Sequence, residues 1–202
     1  MQEFLTLILA CLVSYIFGAL PFAHRISRRQ GIDIFSIGTG LAGASNVLKN
    51  VGRWSALMVL VFDIAKGALA VIVSGMMGVE GVWIFVPACA AIFGHWNSIF
   101  TRFKGGDGMA IAGGIAIAVF GGIGLLTLFI AGLVSLAAQK LWITSLSSIV
   151  VGFLVLLFLT RLFNRHEELA VGFITVALMV LAHALKGHAQ RRRLAKQSES
   201  NL

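Results

Sequence analysis

Charge is scarce in this chain. Only 12% of its 202 residues are Asp, Glu, Lys or Arg, and just 8 of them are acidic. A soluble globular domain carries about 25% charged residues, so a soluble enzyme with a water-facing surface is excluded. Proline is nearly absent, with 2 residues, and cysteine also numbers 2. Cys11 and Cys89 both sit inside apolar runs. A disulfide framework and a cysteine metal cluster are therefore excluded. With 58% hydrophobic residues, disordered, collagenous and coiled-coil chains are excluded as well. What the chain has instead is apolar length, 23 glycines and a mean hydropathy of +0.95. These are the marks of a polytopic helical membrane protein.

A bilayer core of about 30 Å takes roughly 20 apolar residues per helix. Runs of this kind lie over 4–23, 54–74, 81–99, 145–160 and 169–185. The stretch 109–138 is too long for one untilted span, and Gly121, Gly122 and Gly124 interrupt it. It predicts two helices, the first one short, joined by a tight turn. The fold class is then all-α, with seven transmembrane helices; one long tilted helix over 109–138 would make six. The first run lacks a basic leader and continues into a basic loop, unlike a cleaved signal peptide.

The basic residues orient the bundle. With seven spans and the N-terminus outside, thirteen of the 16 fall on one side, from Arg25 through Lys140 to Lys196. Arg161 and Arg165 fall on the other, and Lys66 lies within a span. The positive-inside rule places the crowded side, and the C-terminus, in the cytoplasm. Six spans would put the first basic loop and the basic tail on opposite sides. We therefore expect a membrane domain over 1–189 and a polar, basic cytoplasmic tail over 190–202. The net charge of +8 is read as topology and lipid contact, with no nucleic-acid partner.

Two expected cytoplasmic loops are rich in glycine. The first runs from Gly38 and Thr39 through Gly40 and Gly43 to Ser45 and Asn46, with Asp33 before it and Lys49 after it. Glycine lets backbone N–H groups converge on an anion, and a helix opening at Ser45 or Asn46 would add its own free N–H groups. A small-residue packing motif is the alternative. The second loop, Phe103 to Gly108, contains Lys104, Gly105, Gly106 and Asp107; it lacks the residue order of a Walker loop. Asp63 and Lys66 lie one turn apart and share a face. At membrane depth such groups are paired or functional. His95 and His183 lie near cytoplasmic helix ends, and Ser145, Ser147 and Ser148 open the sixth span as caps or donors. No G-x-S-x-G elbow, H-E-x-x-H metal site or His-x4-Asp pair occurs.

Taken together these segments resemble the bacterial acyl-phosphate:glycerol-3-phosphate acyltransferase (PlsY) family. Gly31 to Asn46 resembles its G-x-D-x-R-x-x-G-S-G-N-x-G-A-T-N motif. Asp63, Lys66 and Gly67 match Asp-x-x-Lys-Gly, and Gly94, His95, Phe103, Lys104, Gly105, Gly106, Gly108 and Ala110 match a second glycine motif. Ser145, Leu146, Ser148 and Ile149 match Ser-Leu-x-Ser-Ile. Thr39 stands for the family's Ser, Leu41 for Asn, Phe35 and Lys49 for Arg, Asp107 for Lys and Ile111 for Thr. If His183 is aligned to the last motif, Leu185 and Lys186 replace its Glu and Asn.

The resemblance implies a seven-span, inner-membrane acyltransferase that uses no cofactor or metal. Its partners would be acyl phosphate, glycerol 3-phosphate and membrane lipid, with lysophosphatidic acid as product. It places Thr39 and His183 at the reacting centre. It makes Lys49, Lys104 and Ser145 phosphate ligands beside Ser45, Asn46 and the N–H groups of Gly40, Gly43, Gly105 and Gly106. Asp33, Asp63, Lys66 and His95 would support the site. A non-catalytic paralogue that binds a lipid phosphate, or a small-anion transporter, are the alternatives.

Overall fold

A backbone N–H or C=O removed from water must be paired within its own segment, so long apolar runs become helices. The computed structural model follows that rule throughout. It describes the backbone of residues 1–138, 144–164 and 166–200, and the side chains of 1–138, 147–164 and 166–185.

The chain opens with α1 (Gln2–Ala19) and, after a break at Leu20 and Pro21, the short α2 (Phe22–Arg28). Pro21 has no N–H to give and stands directly before α2, where its loss from a helical ladder is harmless. A long loop then leads to α3 (Ala44–Asn50) and α4 (Arg53–Met76). A 3₁₀ turn, Gly81–Ile84, feeds α5 (Phe85–Trp96), and Pro87 falls in its first turn. Next come α6 (Met109–Phe120), α7 (Gly122–Ala137), α8 (Thr144–Leu162) and α9 (Glu167–Ser200).

The glycine interruption expected in 109–138 is present. Gly121 takes a φ of 58° between α6 and α7, a left-handed conformation that favours glycine. The single tilted helix does not form. Among the described residues, Gln2–Arg28, Arg53–Met76, Gly81–Thr101 and Glu167–Leu185 are long and apolar enough to cross a membrane. The apolar helices α6, α7 and α8 are shorter; the 12 residues of α6 rise only about 18 Å. The chain is thus an all-helical, multi-pass membrane protein. The helix α9 passes through position 190 without a break.

Glycine decides how close two helix pairs come. A Cβ on Gly94 of α5 would strike the Tyr15 carbonyl of α1, and one on Gly18 would strike Ala91. Gly67 of α4 and Gly114 of α6 likewise face each other's backbone, at Ile111 and Ile64. Small residues permit such approach where lipid supplies no hydrophobic drive. A core of Ile92, Ile111, Ile115, Phe120, Val176 and Val180 then joins α5, α6 and α9. A smaller cluster, with Ala23, Ile34, Ala42, Val47 and Val59, packs the first loop against α2, α3 and α4. The outward surface is apolar: Phe4, Leu12, Val61, Ile72, Phe129, Phe158 and Leu178 are all exposed. An apolar surface this widespread is what a bilayer covers.

Candidate active site

Within this apolar bundle, α4 buries two charges. Asp63 is 2% and Lys66 3% exposed, and the Lys66 ammonium donates to the Asp63 carboxylate at 2.7 Å. The expected pairing is therefore made. From α5, His95 Nδ1 lies 3.9 Å from the same carboxylate oxygen, so two helices contribute to one polar centre. The Lys66 ammonium also sits over the Phe22 ring at 5.3 Å, and Phe22 stacks on Phe62 at 4.3 Å. The aromatic faces favour the cation and exclude water from it.

The second glycine loop is folded onto His95. Ser98 Oγ donates to the Ala19 carbonyl at 2.5 Å, tying the end of α5 to the end of α1. Arg102 and Phe103 adopt left-handed φ values of 55° and 60°, uncommon for side-chain-bearing residues, and the Thr101 hydroxyl donates to the Lys104 carbonyl. A Cβ at Gly105 would strike the His95 carbonyl, and one at Gly106 the His95 imidazole. Both glycines are thus required for contact with His95. The Trp96 indole N–H donates to the Asp107 carbonyl at 3.0 Å, while the Asp107 carboxylate accepts from Met109 N–H at 3.2 Å. Asp107 therefore satisfies one of the free N–H groups that open α6. Lys104 is exposed, with its ammonium 5.8 Å from the Phe35 ring.

Asn46 organises the first loop. Its amide donates to the carbonyls of Ile34, Ile37 and Leu41 at 3.2, 3.1 and 3.0 Å, and its oxygen accepts from Thr39 N–H and from the Asn50 amide. Buried polar groups need such saturation, and Asn46 is 3% exposed. Thr39 stands exposed on this scaffold, its hydroxyl oxygen accepting from Leu41 N–H at 3.4 Å. Asp33 is exposed and turns back on Phe35 N–H. Ala42 N–H donates to the Gly105 carbonyl at 2.9 Å and joins the two loops.

A small cavity lies beneath the joined loops, and Asp63, Lys66, His95, Lys104, Gly105 and Gly106 line it. Thr39, Gly40, Gly43, Ser45, Asn46 and Lys49 are not part of that wall; Ser45 and Lys49 lie exposed on α3. His183 approaches by another route, stacked on Trp96 at 4.1 Å with the planes 7° apart. The side chain of Ser145, the charge of Lys186 and the basic residues Lys140, Arg165 and those of the tail lie outside the described side chains.

The expected cradle of four glycine N–H groups needs correction. Gly40 N–H donates to the Ile37 carbonyl, Gly43 N–H to Leu41 and Gly106 N–H to His95. The first two close turns within the first loop, and the third ties the second loop to the end of α5, so all three donors are already used. Sequence reasoning missed His24, Pro21 and Phe22, which also line the cavity. The signal was available: a proline followed by a seven-residue amphipathic stretch at the end of the first apolar run.

Residues 8–197 match the family described as glycerol-3-phosphate acyltransferase. Glycerol-3-phosphate acyltransferase 1 of Deinococcus radiodurans is 43% identical over 106 residues, covering 52% of this chain and 54% of its own. The glycerol-3-phosphate acyltransferase of Thermus thermophilus is 40% identical over 99 residues, covering 49% and 50%. The chain spans about half the length of the curated relatives it matches. A crystal structure of PlsY, an integral membrane glycerol 3-phosphate acyltransferase in its glycerol 3-phosphate form, superposes with a TM-score of 0.73. It is 23% identical, and the match covers 95% of this chain and 92% of that one. That likeness establishes the fold.

Proposed function

Because the chain belongs to the glycerol-3-phosphate acyltransferase family, we propose that it moves a fatty acyl group from acyl phosphate to the 1-hydroxyl of glycerol 3-phosphate. The product is lysophosphatidic acid, an early intermediate of phospholipid synthesis. The observation that carries this reading is a polar cavity inside an apolar bundle, with Lys66 and Lys104 among its lining residues. Both substrates bear phosphate, and a lysine ammonium is a compact charge suited to hold it.

In this reading the 1-hydroxyl oxygen of glycerol 3-phosphate attacks the acyl carbonyl carbon, a C–O ester bond forms, the bond from that carbon to the donor's phosphate oxygen breaks, and inorganic phosphate departs. The hydroxyl proton leaves to His183 or to the departing phosphate. An acyl phosphate is already an activated donor, so catalysis consists of holding two anions and aligning hydroxyl with carbonyl. No metal or cofactor takes part. Thr39 donates its hydroxyl to the acyl phosphate, and Lys104 and Lys49 hold phosphate, with Ser45 and Ser145 as hydrogen-bond donors. Asp63 and His95 fix the floor against which the loop carrying Lys104 rests. The apolar side of the bundle admits the acyl chain from lipid.

The topology proposed with this function has seven spans, the N-terminus outside, and the loops of the site facing the cytoplasm across the bacterial inner membrane. The 1–189 domain carries the activity, and 190–202 is a basic tail. A reporter fused after Leu202 should behave as a cytoplasmic fusion, and a periplasmic phosphatase signal there would refute this topology. Purified protein given acyl phosphate and glycerol 3-phosphate should release inorganic phosphate. If no release exceeds a boiled control while a related enzyme is active alongside, the protein is a non-catalytic binder of lipid phosphate.

A further inference from the structure

A second cavity opens beside the first. It is an open groove lined by Pro21, His24, Arg25, Arg28, Arg29 and Phe100. Pro21 and His24 line both cavities, so the groove and the polar centre share a wall. Arg25, Arg28 and Arg29 stand on one face of the end of α2, at the three- and four-residue spacing that makes helix neighbours. All three are exposed, and among the described residues none has an ion-pair partner. No carboxylate lines the groove. His24 Nδ1 is shut away from solvent without a hydrogen-bond partner. Its ring stacks on Phe35 at 5.3 Å, and the Lys104 ammonium lies 5.8 Å from that same Phe35 ring. Positive or hydrogen-bonding groups therefore follow one another from the arginines through His24 to Lys104.

We propose that this groove is an anion vestibule, which takes a phosphate monoester dianion from the aqueous side and holds it on the arginines, beside the wall of Pro21 and His24 that it shares with the polar centre. Guanidinium forks match phosphate oxygens in pairs. A cleft lined by one sign of charge with low-dielectric walls raises the local concentration of its counter-ion and the rate of its entry. The proposal rests on the reading of the cavity as a phosphate-handling site. A phospholipid headgroup offers the same chemistry as a free phosphate monoester, and the test separates them.

The protein is placed in nanodiscs of zwitterionic lipid and titrated calorimetrically with glycerol 3-phosphate and with inorganic phosphate at low and physiological salt. The parent should bind less tightly as salt rises. The triple variant Arg25→Gln, Arg28→Gln, Arg29→Gln should bind about tenfold more weakly at low salt, with a flattened salt dependence. The triple Arg→Lys variant should keep most of the affinity. If the triple Gln variant unfolds at a lower temperature, the three single Gln variants replace it, each expected to lose about two- to threefold. Equal affinity and equal salt dependence in parent and Gln variants overturn the vestibule, as does a parent that binds no phosphate. A second set of nanodiscs contains phosphatidylglycerol, and lipid retention is read by native mass spectrometry. If only lipid retention falls in the Gln variants, the groove is a headgroup site and the vestibule is overturned. Acyl transfer is measured on the same samples. A parent that binds phosphate through these arginines yet transfers no acyl group overturns the proposed activity and keeps the vestibule.

Discussion

Removing one member of the Asp63–Lys66 pair should cost more stability than removing both. The two groups meet at 2.7 Å with side chains 3% and 4% exposed. At an effective dielectric of 20 their attraction is about 6 kcal/mol, and the desolvation of both groups offsets much of it. Lys66→Met would leave the Asp63 carboxylate buried, with only the His95 ring nearby at 3.9 Å. Asp63→Leu would leave the ammonium buried against Phe22. Each single change is expected to destabilise by about 3–5 kcal/mol, whereas the double variant should return to within about 2 kcal/mol of the parent. Unfolding in detergent, followed by tryptophan fluorescence, completes the double-mutant cycle. Additive losses, with no recovery in the double variant, would refute the view that the two charges matter chiefly to each other. The double variant also serves as a functional probe. If it is stable but no longer binds phosphate, Lys66 contributes charge to the cavity as well as to packing.

Lys104→Ala should raise the KM for the phosphate substrate by roughly tenfold to a hundredfold, since a charge-assisted contact is worth about 1.5–3 kcal/mol; steady-state kinetics checks this. Thr39→Ser should keep acyl transfer and Thr39→Val should lose it, while His183→Ala should slow turnover by about 10²–10⁴. Unchanged turnover in His183→Ala removes the imidazole from the chemistry. Asp107→Asn should leave stability unaltered, because an amide oxygen can still accept from Met109 N–H. Asp107→Lys should lower stability by about 1 kcal/mol, the usual worth of such a contact, and thermal unfolding distinguishes the two. Gly67→Ala should destabilise by about 1–3 kcal/mol, because its methyl would meet the Ile111 carbonyl of α6.

The helical class, the membrane setting and the break between α6 and α7 follow from local chemistry. Apolar length forces backbone pairing within each segment, and Gly121 supplies a conformation that other residues avoid. The Asp63–Lys66 pair was equally legible, because a three-residue helical spacing brings side chains together whatever the rest of the chain does. The glycine loops were legible as loops, yet their role was not. Flexibility and phosphate capture look alike in a sequence, and only the folded chain shows that Gly105 and Gly106 are small because His95 lies against them. Nor could spacing reveal that Asn46 holds the first loop, that the Ala42–Gly105 hydrogen bond joins both loops, or that His183 stacks on Trp96. The last two bridge segments far apart in the chain, the Asn46 bonds lie within one irregular loop, and no periodicity encodes any of them. The tertiary structure decided which charges share a cavity, because helix packing, with α1 set against α5 at Gly18 and Gly94 and α4 against α6 at Gly67 and Gly114, brings Asp63, Lys66 and His95 together from two helices.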